Sequence, residues 1–264
     1  MSPTLNPFLH NPELPGEAFS LNGTRPDAIL LFHGFTGTSF EVRRLGRVLN
    51  NAGFTTAGPL LPGHGTTPAE LNRVRWRDWT ECAETEYQAL ARNHPRVFVG
   101  GESMGALLAL DLAERHPEIA GVMAYAPGLI LPLTFLQHVQ LRLIAPFVAS
   151  LDKEDLADDK SSQGYKVNPL KGVLQLIRLQ GVVRRRLGDI HQPILIVQGR
   201  EDKTVNPHGA EVIFESVSSS LKTLNWMEKS GHCVLLDQEA HLVTHDTMDF
   251  LFKVIAQQPD NLPA

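Results

Sequence analysis

A serine with glycine two residues to either side, Gly101-Glu102-Ser103-Met104-Gly105, suits nucleophilic attack on a carbonyl carbon. A hydroxyl is a weak nucleophile until a base takes its proton, and histidine exchanges protons near neutral pH. Of the 11 histidines, His232 in Ser230-Gly231-His232 stands out, because it follows the strand-like stretch Thr223 to Met227 in a loop that can overhang a sheet. The rest have plainer readings. His94 and His116 close helical stretches, His10 lies in a Pro-rich start, and His241 with His245 lies on the last helix without the acidic partner of a metalloprotease motif, so no metal is expected. The histidine needs an acid to fix its tautomer and steady the imidazolium. Asp202, in Gly199-Arg200-Glu201-Asp202, is the candidate; Glu201 is its neighbouring rival, and either could be a turn or capping residue instead. An oxyanion formed by the attack needs two backbone N–H donors, and Met104 and Phe35, the latter in the glycine-rich turn His33-Gly34-Phe35-Thr36-Gly37, are the candidates. His33 is read as structural. Cys233 is read as a packing residue beside the site.

These groups are useful only if strand ends deliver them to one place. Solid apolar runs at Ala28 to Phe32, Val97 to Val99, Val122 to Tyr125 and Ile194 to Val197 read as strands buried on both faces, as in a parallel sheet covered by helices. Phe54 to Ala57 and Thr223 to Met227 add strands, and Ala18 to Leu21 an edge strand. Helical patterns fill the gaps at Ser39 to Ala52, Trp76 to Asn93, Met104 to His116, Pro207 to Val217 and Asp237 to Ala256, with Asp237 read as an N-cap. The class is α/β. Ser103 then stands on a tight strand-to-helix turn, where close backbone approach excludes a Cβ at the glycines and the serine bears an unfavourable φ/ψ.

More than sixty residues separate the strand ending near Pro127 from that at Ile194, too many for an ordinary crossover. This interval reads as a helical cap. Leu170, Val173, Leu174 and Ile177 form one apolar face, and Leu133, Leu136, Val139, Leu143 and Phe147 a second, part of which is expected to roof a pocket at the carboxyl ends of the strands. The stretch Asp152 to Lys160 is expected to be a solvated loop, and Arg184-Arg185-Arg186 a solvated face. The division is therefore residues 1–26 as an N-terminal extension, 27–128 and 191–264 as two parts of one core, and 129–190 as the cap.

With 264 residues, 42% hydrophobic and 20% charged, the chain has the balance of a soluble globular protein. A net charge of -5 argues against nucleic acid as a partner, because phosphate binding needs a concentrated positive surface. Cys82 and Cys233 are too few and too distant for a disulfide framework, and Met1 to Pro15 lacks the apolar core of a secretory signal, so a cytoplasmic location is expected. Leu129 to Leu151 is broken by Pro132, Arg142 and Pro146, which disfavours stable membrane insertion.

The chain resembles the α/β-hydrolase superfamily, and more closely the small bacterial carboxylesterases related to monoacylglycerol lipases. The likeness runs from about Asp27 to Phe252 through His33 to Gly37, Pro62-Gly63-His64-Gly65, the serine turn, Gly199 to Val205 and Ser230 to Glu239. The order Ser103, Asp202, His232 is that of the fold's triad. Ala106 departs from it, standing where many relatives carry a second glycine. The resemblance implies an α/β-hydrolase fold, a mostly parallel sheet flanked by helices with a small helical cap insertion, acting as a Ser-Asp-His esterase without a cofactor on a small-molecule ester. Thioester or carbon–carbon bond hydrolysis could use the same triad, and a small-molecule receptor on this fold is the non-enzymatic alternative.

Overall fold

The solid apolar runs form one seven-stranded sheet in the computed structural model, which describes residues 5–153 and 162–257. Across the sheet the strands run Lys222–Met227, Ile194–Gly199, Gly121–Tyr125, Arg96–Glu102, Asp27–Phe32, Thr55–Gly58 and Phe19–Leu21. All neighbours are parallel except Phe19–Leu21, which pairs antiparallel with Thr55–Gly58.

Burial on both faces explains the runs. Leu30, Phe32, Val97, Val99, Ile194 and Ile196 point into a core shared with helices Trp76–Ala91, Met104–Arg115, Leu170–Arg186 and His208–Ser216. Ile29, Leu31, Phe98, Leu195 and Val197 point the opposite way, against helices Phe40–Asn51 and Ala240–Gln257. Every residue of Asp27–Phe32 is buried, and each large aliphatic chain contributes about 1.5–3 kcal/mol of gross transfer free energy.

The register brings the strand ends level. Phe32 pairs with Gly101, Glu102 with Tyr125, Val197 with Tyr125, and Gly199 with Met227. The loops carrying Phe35, Ser103, Asp202 and His232 therefore all leave the same rim.

Three local expectations change. The last helix begins at Ala240 rather than Asp237, and the Asp237 carboxylate instead accepts the Gly231 N–H at 2.7 Å, bracing the loop that carries His232. Ser39 is not the first helical residue: its hydroxyl donates to Gly16 O at 3.1 Å, and the helix starts at Phe40. Between Tyr125 and Ile194 lie helices Phe135–Ile144 and Leu170–Arg186 together with short strands Ser150–Asp152 and Val167–Pro169, which pair with each other. Of the stretch Asp152 to Lys160, positions 154–160 lie outside the described residues. Arg184, Arg185 and Arg186 are exposed, with Arg186 Nη1 donating to Glu114 Oε2 at 2.9 Å.

Candidate active site

Ser103 has φ 59° and ψ −114°, a conformation that costs a non-glycine residue on the order of 1–3 kcal/mol. Tertiary bonds hold it there: Ser103 N–H donates to Tyr125 O at 2.9 Å, and Ser103 O accepts the Gly128 N–H at 3.0 Å. The flanking glycines are required by contact. A Cβ on Gly105 would stand 2.1 Å from Phe32 O, and one on Gly101 2.5 Å from the Gly105 carbonyl carbon. Ala106, by contrast, is accommodated with its methyl wholly buried in the core.

His232 Nδ1 and Asp202 Oδ2 lie 2.8 Å apart. The Asp202 carboxylate also accepts the Thr204 and Val205 N–H groups on Oδ1 at 2.9 and 3.0 Å, and Gln198 Nε2 on Oδ2 at 2.9 Å. Burial opposes its ionisation. The hydrogen bond and charge of His232, with the Val205 and Gln198 bonds, outweigh burial and hold the carboxyl below its ordinary range. An ionised carboxylate only accepts, so the proton between the two groups sits on Nδ1, and in the neutral imidazole Nε2 then carries the lone pair. Glu201 is exposed while Asp202 is buried, so the partner of the imidazole is Asp202. Ser103 and His232 line the same cavity, with no hydrogen bond between them.

The Phe35 and Met104 N–H groups have no acceptor among the described residues; Phe35 lines the cavity together with Ser103, and Met104 follows Ser103 in the chain. Their loop is braced from below. His33 Nδ1 donates to Gly34 O at 2.9 Å, and Nε2 accepts the Leu61 N–H at 3.0 Å. Burial pushes the His33 pKa down to about 4, the Gly34 carbonyl opposing, so the ring is neutral and structural as the sequence suggests. The Phe35 ring makes edge contacts with His64 and Trp79, each at 6.1 Å between centroids, and Gly172 leaves room for it, since a Cβ there would fall 3.0 Å from Phe35 Cζ. Pro62-Gly63-His64-Gly65 thus acts through Phe35. Pro62 O accepts from Trp79 Nε1 and His64 Nδ1, both at 3.1 Å.

A cavity of about 680 Å³ opens over Ser103. Leu131, Leu133, Leu141, Ile144, Val173 and Leu176 give it an apolar wall, and Cys233 lies at its edge beside His232. Leu170, Val173, Leu174 and Ile177 do form one face, against Leu141 and Ala145. The second expected face is corrected: Leu136, Leu143 and Phe147 are 70%, 66% and 89% exposed, Val139 is exposed as well, and of that set only Leu133 lines the cavity. In helix Phe135–Ile144 the periodic apolar stripe of Phe135, Leu136, Val139 and Leu143 faces outward, and Leu141, set among polar residues, is the one that is buried.

Gln198 was not legible as a site residue, because a glutamine inside a strand reads only as a polar interruption. Gln180 was missed likewise; its Nε2 donates to Gly128 O at 2.6 Å, supporting the peptide that anchors Ser103.

The family model for hydrolases described as serine aminopeptidase, S33, matches residues 24–239. The chain belongs to this family. Among relatives of this hydrolase, a thermostable monoacylglycerol lipase of Bacillus sp. (strain H-257) is 32% identical over 228 residues, 86% of this chain and 91% of that protein. A carboxylesterase of Bacillus subtilis (strain 168) is 31% identical over 228 residues, 86% and 93% of the two chains. A solved structure from work on LipS and LipT, two metagenome-derived lipolytic enzymes, aligns with a TM-score of 0.83 at 33% identity, covering 91% of this chain and 99% of that one. The monoacylglycerol lipase of Paleococcus ferrophilus shares the fold, with a TM-score of 0.75 at 19% identity over 90% and 98% of the chains. The hydrolase is an α/β-hydrolase, and among its described residues no helix is long and apolar enough to cross a membrane.

Proposed function

We propose that this α/β-hydrolase cleaves carboxylic esters of small to medium apolar acids or alcohols through an acyl-enzyme on Ser103. The carrying observation is the Asp202–His232 pair on the same cavity as the strained Ser103 turn. His232 Nε2 takes the hydroxyl proton as Ser103 Oγ attacks the ester carbon, and Asp202 stabilises the resulting imidazolium. The carbonyl oxygen, now negative, meets the Phe35 and Met104 N–H groups. Collapse expels the alcohol with the proton from His232; water, activated by the same imidazole, then releases the acid. No cofactor takes part in this scheme, and the chain acts in the cytoplasm.

The apolar wall supports a hydrocarbon group on the substrate. Each buried methylene contributes about 0.8 kcal/mol, roughly fourfold, so chain-length preference is graded and not all-or-none. A panel of p-nitrophenyl esters of increasing acyl length tests the reading: turnover with an initial burst is expected, and Ser103→Ala should lower it by orders of magnitude while folding normally. A cleanly purified Ser103→Ala protein with near wild-type turnover overturns it. Failure to hydrolyse any ester, together with tight binding of one, points to a receptor.

A further inference from the structure

Two buried glutamates stand behind the reacting surface, and the ester-cleaving scheme uses neither. Glu41 lies in the first turn of helix Phe40–Asn51, where the helix N-terminus favours a carboxylate. Its Oε2 accepts the Gly34 N–H at 2.6 Å. The carboxylate fills the crook of the His33–Gly37 turn, since a Cβ on Gly37 would fall 2.0 Å from Glu41 Oε1 and 2.5 Å from Cδ. It also approaches the nucleophile: a methyl on Gly34 would lie 3.2 Å from Glu41 Oε2 and equally 3.2 Å from Ser103 Cβ.

Glu102 directly precedes Ser103. Its Oε1 accepts the Leu235 N–H at 3.1 Å, three residues beyond His232, while the buried Oε2 has no hydrogen-bond partner. One carboxyl therefore grips the loop that presents the Phe35 N–H, and the other grips the loop that carries His232. Both line the cavity that Ser103 also lines.

We propose that Glu41 and Glu102 are a pair of positioning residues, Glu41 aiming the Phe35 amide at the developing oxyanion and Glu102 tying the His232 loop to the serine turn. The proposal rests on the acyl-enzyme reading above. Two neighbouring buried carboxyls do not both ionise readily. Burial, then the Glu41 charge, push the Glu102 carboxyl above its usual range, with Asp202 and Asp237 adding in the same direction and the Leu235 N–H opposing; the Tyr125 phenol also feels its charge. Glu102 is accordingly the member of the pair biased toward its protonated form. The Gly34 N–H and the helix N-terminus favour the carboxylate form of Glu41.

The test compares kcat and KM on one p-nitrophenyl ester for Glu41→Ala, Glu41→Asp, Glu41→Gln, Glu102→Ala and Glu102→Gln, with thermal unfolding followed in parallel. Glu41→Asp withdraws the carboxylate by one methylene at little cost to packing, and Glu41→Gln keeps an oxygen facing Gly34. A misaimed oxyanion donor should cost about 10- to 100-fold in kcat for Glu41→Ala and Glu41→Asp, with KM changed less than about threefold. Glu41→Gln should restore most of that loss, and Glu102→Gln, which resembles a protonated acid, most of the loss in Glu102→Ala. If Glu41→Ala fails to fold, Glu41→Asp decides. Wild-type kcat in Glu41→Asp, a loss confined to KM, or a Glu102→Gln no better than Glu102→Ala at pH 7 each overturns the pair. Ser103→Ala, assayed alongside, separates the two readings: an active Ser103→Ala removes the acyl-enzyme, whereas an inactive one beside a wild-type Glu41→Asp removes only the positioning pair.

Discussion

Gln198 Nε2 donates at 2.9 Å to Asp202 Oδ2, the same oxygen that accepts from His232. The carboxylate is thereby held in the plane the imidazole needs, with its second oxygen fixed by the Thr204 and Val205 N–H groups. Gln198 Nε2 also donates to Gly199 O at 3.2 Å and its Oε1 is already buried without a partner, so Gln198→Met retains the volume and loses two contacts, one of them to a charged acceptor. Turnover by Gln198→Met should fall roughly 10- to 150-fold in kcat, in line with about 1.5–3 kcal/mol for a hydrogen bond to a charged group. Unchanged kcat in a folded variant removes Gln198 from the site.

Asp202 and Glu201 are adjacent in sequence but opposite in burial. Asp202→Asn keeps the shape and abolishes the charge, favouring the wrong imidazole tautomer, and a drop of about 10³- to 10⁴-fold in kcat is expected. Glu201→Gln alters an exposed side chain and should stay within about twofold of wild type. Steady-state assays of the two proteins side by side check this, and the reverse ranking would remove Asp202 from the triad.

His33 makes the fold sensitive to acid. Its pKa falls from 6.5 in the unfolded chain to about 4 when buried, so between these values the unfolded state binds more protons and stability drops as pH falls. Fully developed by pH 4, the loss from this group is on the order of 3 kcal/mol. The buried His64 ring shifts in the same direction. Urea unfolding at pH 7 and pH 4.5 should show His33→Gln losing less stability over that interval than wild type. An equal loss in both proteins assigns the acid sensitivity elsewhere.

Helix Phe135–Ile144 offers a comparison of two faces. Leu141 is 9% exposed and packs on Leu170, so Leu141→Ala should cost about 2–3 kcal/mol by removing buried methyl groups beside the cavity. Phe147, just beyond the helix, is 89% exposed, and Phe147→Ser should change stability by less than about 0.5 kcal/mol. Equilibrium denaturation of the two variants tests the inward assignment, which fails if Phe147→Ser proves the more destabilising.

The strands were legible because burial on both faces leaves a continuous apolar run, and Asp27–Phe32, Arg96–Glu102, Gly121–Tyr125 and Ile194–Gly199 all formed where such runs stand. The serine turn was legible because close backbone approach at Gly101 and Gly105 admits no Cβ, which is a local demand written in residue type. Chain order likewise selected Ser103, Asp202 and His232 as candidates before any distance was known.

Direction and charge were decided only in three dimensions. An apolar stripe on a helix does not say whether it meets this core, so the exposure of Leu136, Leu143 and Phe147 follows from the packing of Leu141 and Ala145 on Leu170. Asp237 left the last helix to hold Gly231, a competition between a cap and a loop that sequence spacing does not rank. Gln198, Glu41 and Glu102 are held by hydrogen-bond partners 4, 7 and 133 residues away. Burial and neighbouring charge act through space, and only the assembled sheet rim sets those distances.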